Sequence, residues 1–281
     1  MDTITAPDGT TIGFRTLGTG PGLIVVHGAL ESAASYADLA AALSDSFTVH
    51  VLDRRGRGSS GPHGDGYGLD TEVADVAGVA RATGAGQIFG VSSGAVIALQ
   101  AGLEVAEITR VAGYEPALSI PGEDPIGDTF IPAYEDALRR GEPAEAMVTA
   151  LKGLQVGPAF LRILPRRIAV ALIRKFIAGE QSAGDEPDFT SLLPTLRYDF
   201  QLSAEGSADL ERFKALDHPV LLLGGSRSPH YLKAALTALH RLLPDSRRSE
   251  LRGANHNTAN NRSQGGRPEL VAAELRDFLT Q

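Results

Sequence analysis

The stretch from Gln87 to Ala101 constrains this chain more than any other. A short apolar run, Gln87-Ile88-Phe89, passes through Gly90-Val91-Ser92-Ser93-Gly94 into Ala95-Val96-Ile97-Ala98-Leu99-Gln100-Ala101, which begins a helix. A G-x-S-x-G pentapeptide between a buried strand and a helix describes a sharp turn that holds its central serine exposed and strained. Its glycines remove side chains that would collide with the neighbouring strand and helix. A Gly/Ser turn alone matches such a pattern by chance. The flanking strand and helix are what single out Ser92 as a candidate nucleophile.

The rest of the chain alternates in the same way. Thr3-Ile4-Thr5 and Thr11-Ile12-Gly13-Phe14 flank Asp8-Gly9, a hairpin signal. Leu23-Ile24-Val25-Val26 reads as a strand buried on both faces. The spacing of Tyr36, Leu39, Ala40 and Leu43 predicts a helix over Ser35 to Leu43, and Phe47 to Leu52 predicts the next strand, ending in Asp53. A helix is expected from about Asp70 to Ala82 with Gly84 as its stop, then the Ile88 strand, a helix to about Leu103, and a strand from Ile108 to Tyr114. From Pro116 to Leu216 the alternation breaks. That stretch is punctuated by Pro and Gly and contains helix-like segments at Ala133 to Arg140, Pro143 to Leu154 and Ala159 to Ala178, with no convincing strand. Pro219 to Gly224 restores the buried-strand pattern, followed by a helix over Tyr231 to Leu243, a strand over Arg248 to Leu251 and a helix over Pro268 to Leu279. This order predicts an α/β fold: a mostly parallel central sheet with helices on both faces. The core is expected in 1–115 and 217–281, and 116–216 is expected to be an inserted helical lid.

Composition removes several function classes. A formal charge of -8 and the lack of a long Lys/Arg block argue against nucleic acid as a partner. With no cysteine, disulfides, thiolate metal sites and Cys nucleophiles are excluded. Residues 1–20 hold charged and turn residues rather than an apolar signal segment, and no apolar run reaches the roughly 20 residues of a membrane helix. The expectation is a cytoplasmic protein with no membrane partner, acting as a monomer or homodimer. Gly56-Arg57-Gly58-Ser59-Ser60-Gly61 matches the dinucleotide pattern G-x-G-x-x-G, but Pro62-His63-Gly64-Asp65-Gly66 continues the turn where a helix should open. No NAD site is read there, and no His pair has the spacing of a metal site. The basic stretch Arg162, Arg166, Arg167, Arg174 and Lys175 reads as an amphipathic lid helix with solvated charges, a membrane-surface or anion-binding helix being the alternative. Arg227 reads as a surface or salt-bridged arginine, binding of a substrate carboxylate being the alternative.

Four separated motifs, His27-Gly28, Asp53-Arg54-Arg55-Gly56-Arg57-Gly58-Ser59, the G-x-S-x-G turn and Gly253-Ala254-Asn255-His256, together resemble the α/β-hydrolase family over nearly the full length except the lid. The resemblance implies that Ser92 is activated by His256, which follows the last predicted strand. Of the other six histidines, His27 resembles the shaping residue of an oxyanion loop, and His50, His63, His218, His230 and His240 read as structural or surface residues. The acid commonly follows the strand after the lid in this family. Here that place reads Gly224-Gly225-Ser226-Arg227-Ser228-Pro229, without a carboxylate. A second family position, after the strand preceding the lid, holds Tyr114-Glu115-Pro116. Glu115 is therefore the expected acid, with orientation of His256 by Asp217 or by a backbone carbonyl as the alternatives. The resemblance places oxyanion-hole donors at the N–H of Ser93 and of Ala29, or else Leu30.

A serine hydrolase of an ester, thioester or lactone is expected, possibly cleaving a C–C bond, with no cofactor and no metal. The alternative is a non-hydrolytic protein of this fold, a ligand receptor or a cofactor-free cyclase or lyase. Phe130, Ile131, Phe160, Leu161, Leu164, Ile173 and Phe176 make the expected lid apolar, which suggests a hydrophobic small-molecule substrate.

Overall fold

The computed structural model describes residues 1–122, 130–157, 159–179 and 189–281, except for the side chains of Ala159, Arg162 and Phe189. In chain order, β1 (Asp2–Thr5), β2 (Thr11–Leu17) and β3 (Gly22–Val26) lead to α1 (Ala37–Leu43) and β4 (Thr48–Leu52). Next come α2 (Leu69–Thr83), β5 (Gln87–Val91), α3 (Ser93–Glu104) and β6 (Arg110–Tyr114). The helices α4 (Ile131–Arg139), α5 (Pro143–Gly153), α6 (Ala159–Ile163), α7 (Arg166–Gly179), α8 (Phe189–Leu192) and α9 (Leu196–Ser207) lie between β6 and β7 (Val220–Gly225). The chain ends with α10 (His230–Leu242), β8 (Ser246–Leu251) and α11 (Pro268–Leu279).

The eight strands form one sheet in the order β1-β2-β4-β3-β5-β6-β7-β8. β1 and β2 join antiparallel at one edge, and every pairing from β4 to β8 is parallel. The continuous apolar runs follow from this placement. Ile24, Ile88, Val220 and Leu222 pack under α2, α3 and α10, while Leu23, Val25, Phe89, Leu221 and Leu223 pack on the opposite face with α1 and α11. Each such side chain, removed fully from water, contributes about 1.5–3 kcal/mol. The helices between β6 and β7 form a separate apolar cluster around Tyr134, Met147, Val148, Ile173 and Leu196. Among the described residues no helix is long and apolar enough to cross a membrane.

Local chemistry sets the ends of several elements. Gly84 closes α2 with φ 71°, its N–H reaching the Ala80 carbonyl. The single helix expected over Ala159 to Ala178 is two helices, α6 and α7, parted at Leu164-Pro165. Proline has no N–H to donate and its ring clashes with the carbonyl a turn back, so the helix restarts after it. Helix α9 was not legible in the apolar periodicity. Its buried face runs through Leu196, Asp199, Phe200 and Ser203, so polar residues occupy the positions that usually reveal a helix.

Candidate active site

The five residues singled out by sequence lie at the carboxyl edge of the parallel strands, where open α/β sheets bind ligands. Ser92 follows β5 with φ 56° and ψ -119°, and its carbonyl receives the N–H groups of Ala95 and Val96 at the start of α3. Gly90 and Gly94 make this turn possible. A Cβ on Gly90 would lie 2.1 Å from the Gly94 carbonyl oxygen, and one on Gly94 would lie 2.3 Å from that of Val26.

Glu115 directly follows β6, with φ 49°, and is fully buried. Its Oε1 accepts the Gly225 N–H at 2.6 Å, and its Oε2 lies 2.6 Å from His256 Nδ1. The carboxylate thus reaches across to the turn after β7 and fixes the ring that follows β8. The loop carrying that ring is braced from the same strand, since the Tyr114 hydroxyl donates to the Asn255 carbonyl at 2.6 Å. Asp217, the alternative partner, has a side chain 88 % exposed and lies beside His218. Arg227 is exposed. A carboxylate on Nδ1 selects the tautomer whose Nε2 is free to accept a proton.

Burial opposes protonation of His256, but the bonded Glu115 carboxylate, helped by Glu31, outweighs it and holds the ring above the ordinary histidine value of 6.5. The sign is that of a group gaining a partner on folding. Its contribution to stability is complete below the unfolded value and is lost as pH rises through the raised folded value. Proton acceptance by the ring needs the opposite condition. If His256 is a base, activity is expected to rise with pH through an inflection above 6.5, read from kcat/KM in a pH series. An inflection below that value would contradict the Glu115–His256 pairing.

Ala29, Ser92, Ser93 and His256 all line one cavity of about 740 Å³. Among the described residues neither the Ala29 nor the Ser93 backbone N–H meets an acceptor. Leu30, beside Ala29, has φ 60°. The His27 ring spans the base of this loop, with Nδ1 2.8 Å from the Gly28 carbonyl and Nε2 accepting the Arg54 N–H at 3.1 Å. Burial, with Arg57 and Arg54 nearby, pushes His27 well below its ordinary value, so the ring is neutral.

Three groups important to the site's construction were not foreseen. Glu31 accepts the Gly28 N–H at 2.9 Å, the Tyr36 hydroxyl at 2.7 Å and the Asn260 amide at 2.5 Å. It thereby ties the loop after β3 to the loop carrying His256. Asp199, from α9, accepts Arg54 Nη1 at 2.8 Å, Arg57 Nη2 at 2.5 Å and the Ser93 hydroxyl at 2.7 Å. Arg54 in turn donates to Glu72 at 2.9 Å. The arginine-rich motif after β4 was legible, but its partners lie up to 145 residues away and no local pattern marks them.

Residues 23–274 match the model of the Alpha/beta hydrolase family. Over 132 residues the chain is 36% identical to N-formylmaleamate deformylase of Pseudomonas putida, covering 45% of this chain and 48% of that protein, about half its length. It is 26% identical over 251 residues to 2-(acetamidomethylene)succinate hydrolase of Mesorhizobium japonicum, covering 88% of this chain and 85% of that one. An alpha/beta hydrolase from Sphaerobacter thermophilus superposes with a TM-score of 0.79 at 28% identity, over 99% of this chain and 100% of the other. With the sheet order, the strained serine turn and a family match over most of its length, the chain belongs to the alpha/beta hydrolase family.

Proposed function

We propose that the protein is a serine hydrolase that cleaves an ester, thioester or lactone through Ser92, His256 and Glu115. The observation that carries this reading is the 2.6 Å contact between Glu115 Oε2 and His256 Nδ1, on the ring that shares a cavity with Ser92. In this mechanism the Ser92 hydroxyl attacks the carbonyl carbon and its proton passes to His256 Nε2. The Ala29 and Ser93 N–H groups receive the developing oxyanion. His256 returns the proton to the leaving oxygen or sulfur, leaving an acyl group on Ser92. Water then attacks that acyl group, giving its proton to His256, and the acid departs as Ser92 recovers its hydrogen. Every proton in this scheme moves through His256 and the N–H groups only hold the oxyanion, so the scheme calls for no metal or organic cofactor.

The helices between β6 and β7 act in this reading as a lid over the cavity, and Phe160, Leu161, Ile173 and Phe176 from them line it. The names of the two curated relatives suggest a second reading, hydrolysis of an N-acyl bond by the same steps with nitrogen as the leaving atom. A fluorophosphonate probe followed by peptide mass spectrometry tests the shared step. Ser92 is expected to carry the label and Ser92→Ala to carry none, with ester turnover falling to background. A folded wild-type protein that stays unlabelled would leave the non-hydrolytic alternative standing. Initial rates on matched p-nitrophenyl esters and anilides then separate the two bond types.

A further inference from the structure

Two carboxylates line the cavity, and among the described residues one of them, Asp199, has cations beside it. Among the described residues that line the cavity there is no Lys or Arg, and its ionisable side chains besides His256 are Glu31, Asp199 and Tyr231, whose phenol burial keeps in the neutral form. The segments 123–129, 158 and 180–188, outside the described residues, contain no Lys, Arg or His in their sequence, and Arg162 is the one basic residue whose side chain is not described. The two arginines nearest in the network, Arg54 and Arg57, are at most 2% exposed and are not among the lining residues.

The two acidic groups differ in what remains of their charge. Asp199 is matched by Arg54 and Arg57, at 2.8 and 2.5 Å. Glu31 is held by neutral donors, the Gly28 N–H, the Tyr36 hydroxyl and the Asn260 amide, and has no ion-pair partner among the described residues. Its negative charge is therefore uncompensated at the cavity wall, close enough to His256 to favour protonation of that ring. Apart from Asp199 and Ser203, the wall that the helices between β6 and β7 contribute is apolar, with Met147, Leu151, Phe160, Leu172, Phe176 and Phe200 on it. A carboxylate moved from water into such a cavity loses hydration, finds no Lys or Arg among the described lining residues and meets a like charge.

Resting on the hydrolase reading of the site, we infer that the acyl group it accepts is uncharged and apolar, and that acyl groups bearing a second carboxylate are excluded. Glu31 and the apolar side chains of the wall are the specificity determinants. The volume of about 740 Å³ suits a chain or ring system of ordinary small-ligand size.

A matched pair of substrates tests this: p-nitrophenyl hexanoate, and the mono-p-nitrophenyl ester of adipic acid, which has a carboxylate in place of the terminal methyl. The kcat/KM for hexanoate is expected to exceed that for the adipate ester by about 100-fold or more, the ratio that an unpaired charge in an apolar site produces. Leu172→Arg places a cation on the insertion wall at a 44% exposed position, and is expected to narrow the ratio about tenfold or more. A wild-type ratio within about threefold, or one favouring the adipate ester, overturns the inference. Binding without chemistry is read separately, by displacement of the neutral dye Nile red from Ser92→Ala protein. The hexanoate ester should displace it and the adipate ester should not. Equal displacement by both, or by neither, overturns the inference even if the Ser92 reaction fails, whereas preferential displacement without turnover sinks only the hydrolase reading.

Discussion

Glu115→Gln is expected to lower kcat by about 10³- to 10⁴-fold, the cost of presenting a histidine base in the wrong tautomer. The geometry specifies why. The Gly225 N–H binds Oε1 at 2.6 Å, so a glutamine is anchored with its carbonyl oxygen there and its amide nitrogen toward His256 Nδ1. That nitrogen donates, which forces the ring proton onto Nε2, the atom proposed to accept from Ser92. The substitution is nearly isosteric and keeps the Gly225 bond, so the thermal midpoint should move little. Circular dichroism and steady-state kinetics on one preparation separate the two effects. A kcat within about threefold of wild type would remove Glu115 from the mechanism.

Asp199→Ala is expected to cost about 3–5 kcal/mol of stability, the range for removing one partner from a buried ion pair. In the wild type, Arg54 and Arg57 balance Glu72 and Asp199 in a region where each of the four side chains is at most 3% exposed. Without Asp199, one positive charge has no counterpart, and the Ser93 hydroxyl loses the acceptor it meets at 2.7 Å. Burial raises the Asp199 pKa, but the adjacent Arg57 and Arg54 outweigh it and hold the carboxyl below its ordinary value of 3.8. The linkage sign follows. This stabilisation is present above the ordinary carboxylate value and is lost as pH falls through the lower folded value. Urea denaturation near neutrality should show the loss, and the acid-induced decline in stability should be shallower in the variant. A loss below about 1 kcal/mol at neutral pH would mean that the cluster relaxes around the vacancy, by hydration or by rearrangement.

The parts of the site that were legible in sequence share one property: each lies at a strand end. Ser92 has its strand and helix within five residues, His256 follows the last strand, and Glu115 follows β6. Strand order alone brings such residues to one edge of a parallel sheet. Glu31 and Asp199 lacked that advantage. Glu31 stands in a loop with no pattern of its own, and its Asn260 partner is 229 positions away. Asp199 occupies the buried face of α9, where its polarity both hid the helix and concealed the charge that the arginines require. Pairing of this kind is decided by tertiary approach, which spacing along the chain does not encode. The break between α6 and α7 was different: Pro165 announced it locally, and the apolar spacing masked the signal.

Three of the four described non-glycine residues with positive φ are Leu30, Ser92 and Glu115. Each holds a backbone region that L-residues enter at a cost of about 1–3 kcal/mol, kept only where surrounding bonds over-determine it. Here those surroundings are the loop after β3, the head of α3 and the junction of β6 with the turn after β7. On the proposed mechanism, robustness and turnover are opposed at the same few peptide units. Selection for heat resistance alone would relax these angles first and would return a tougher, slower protein.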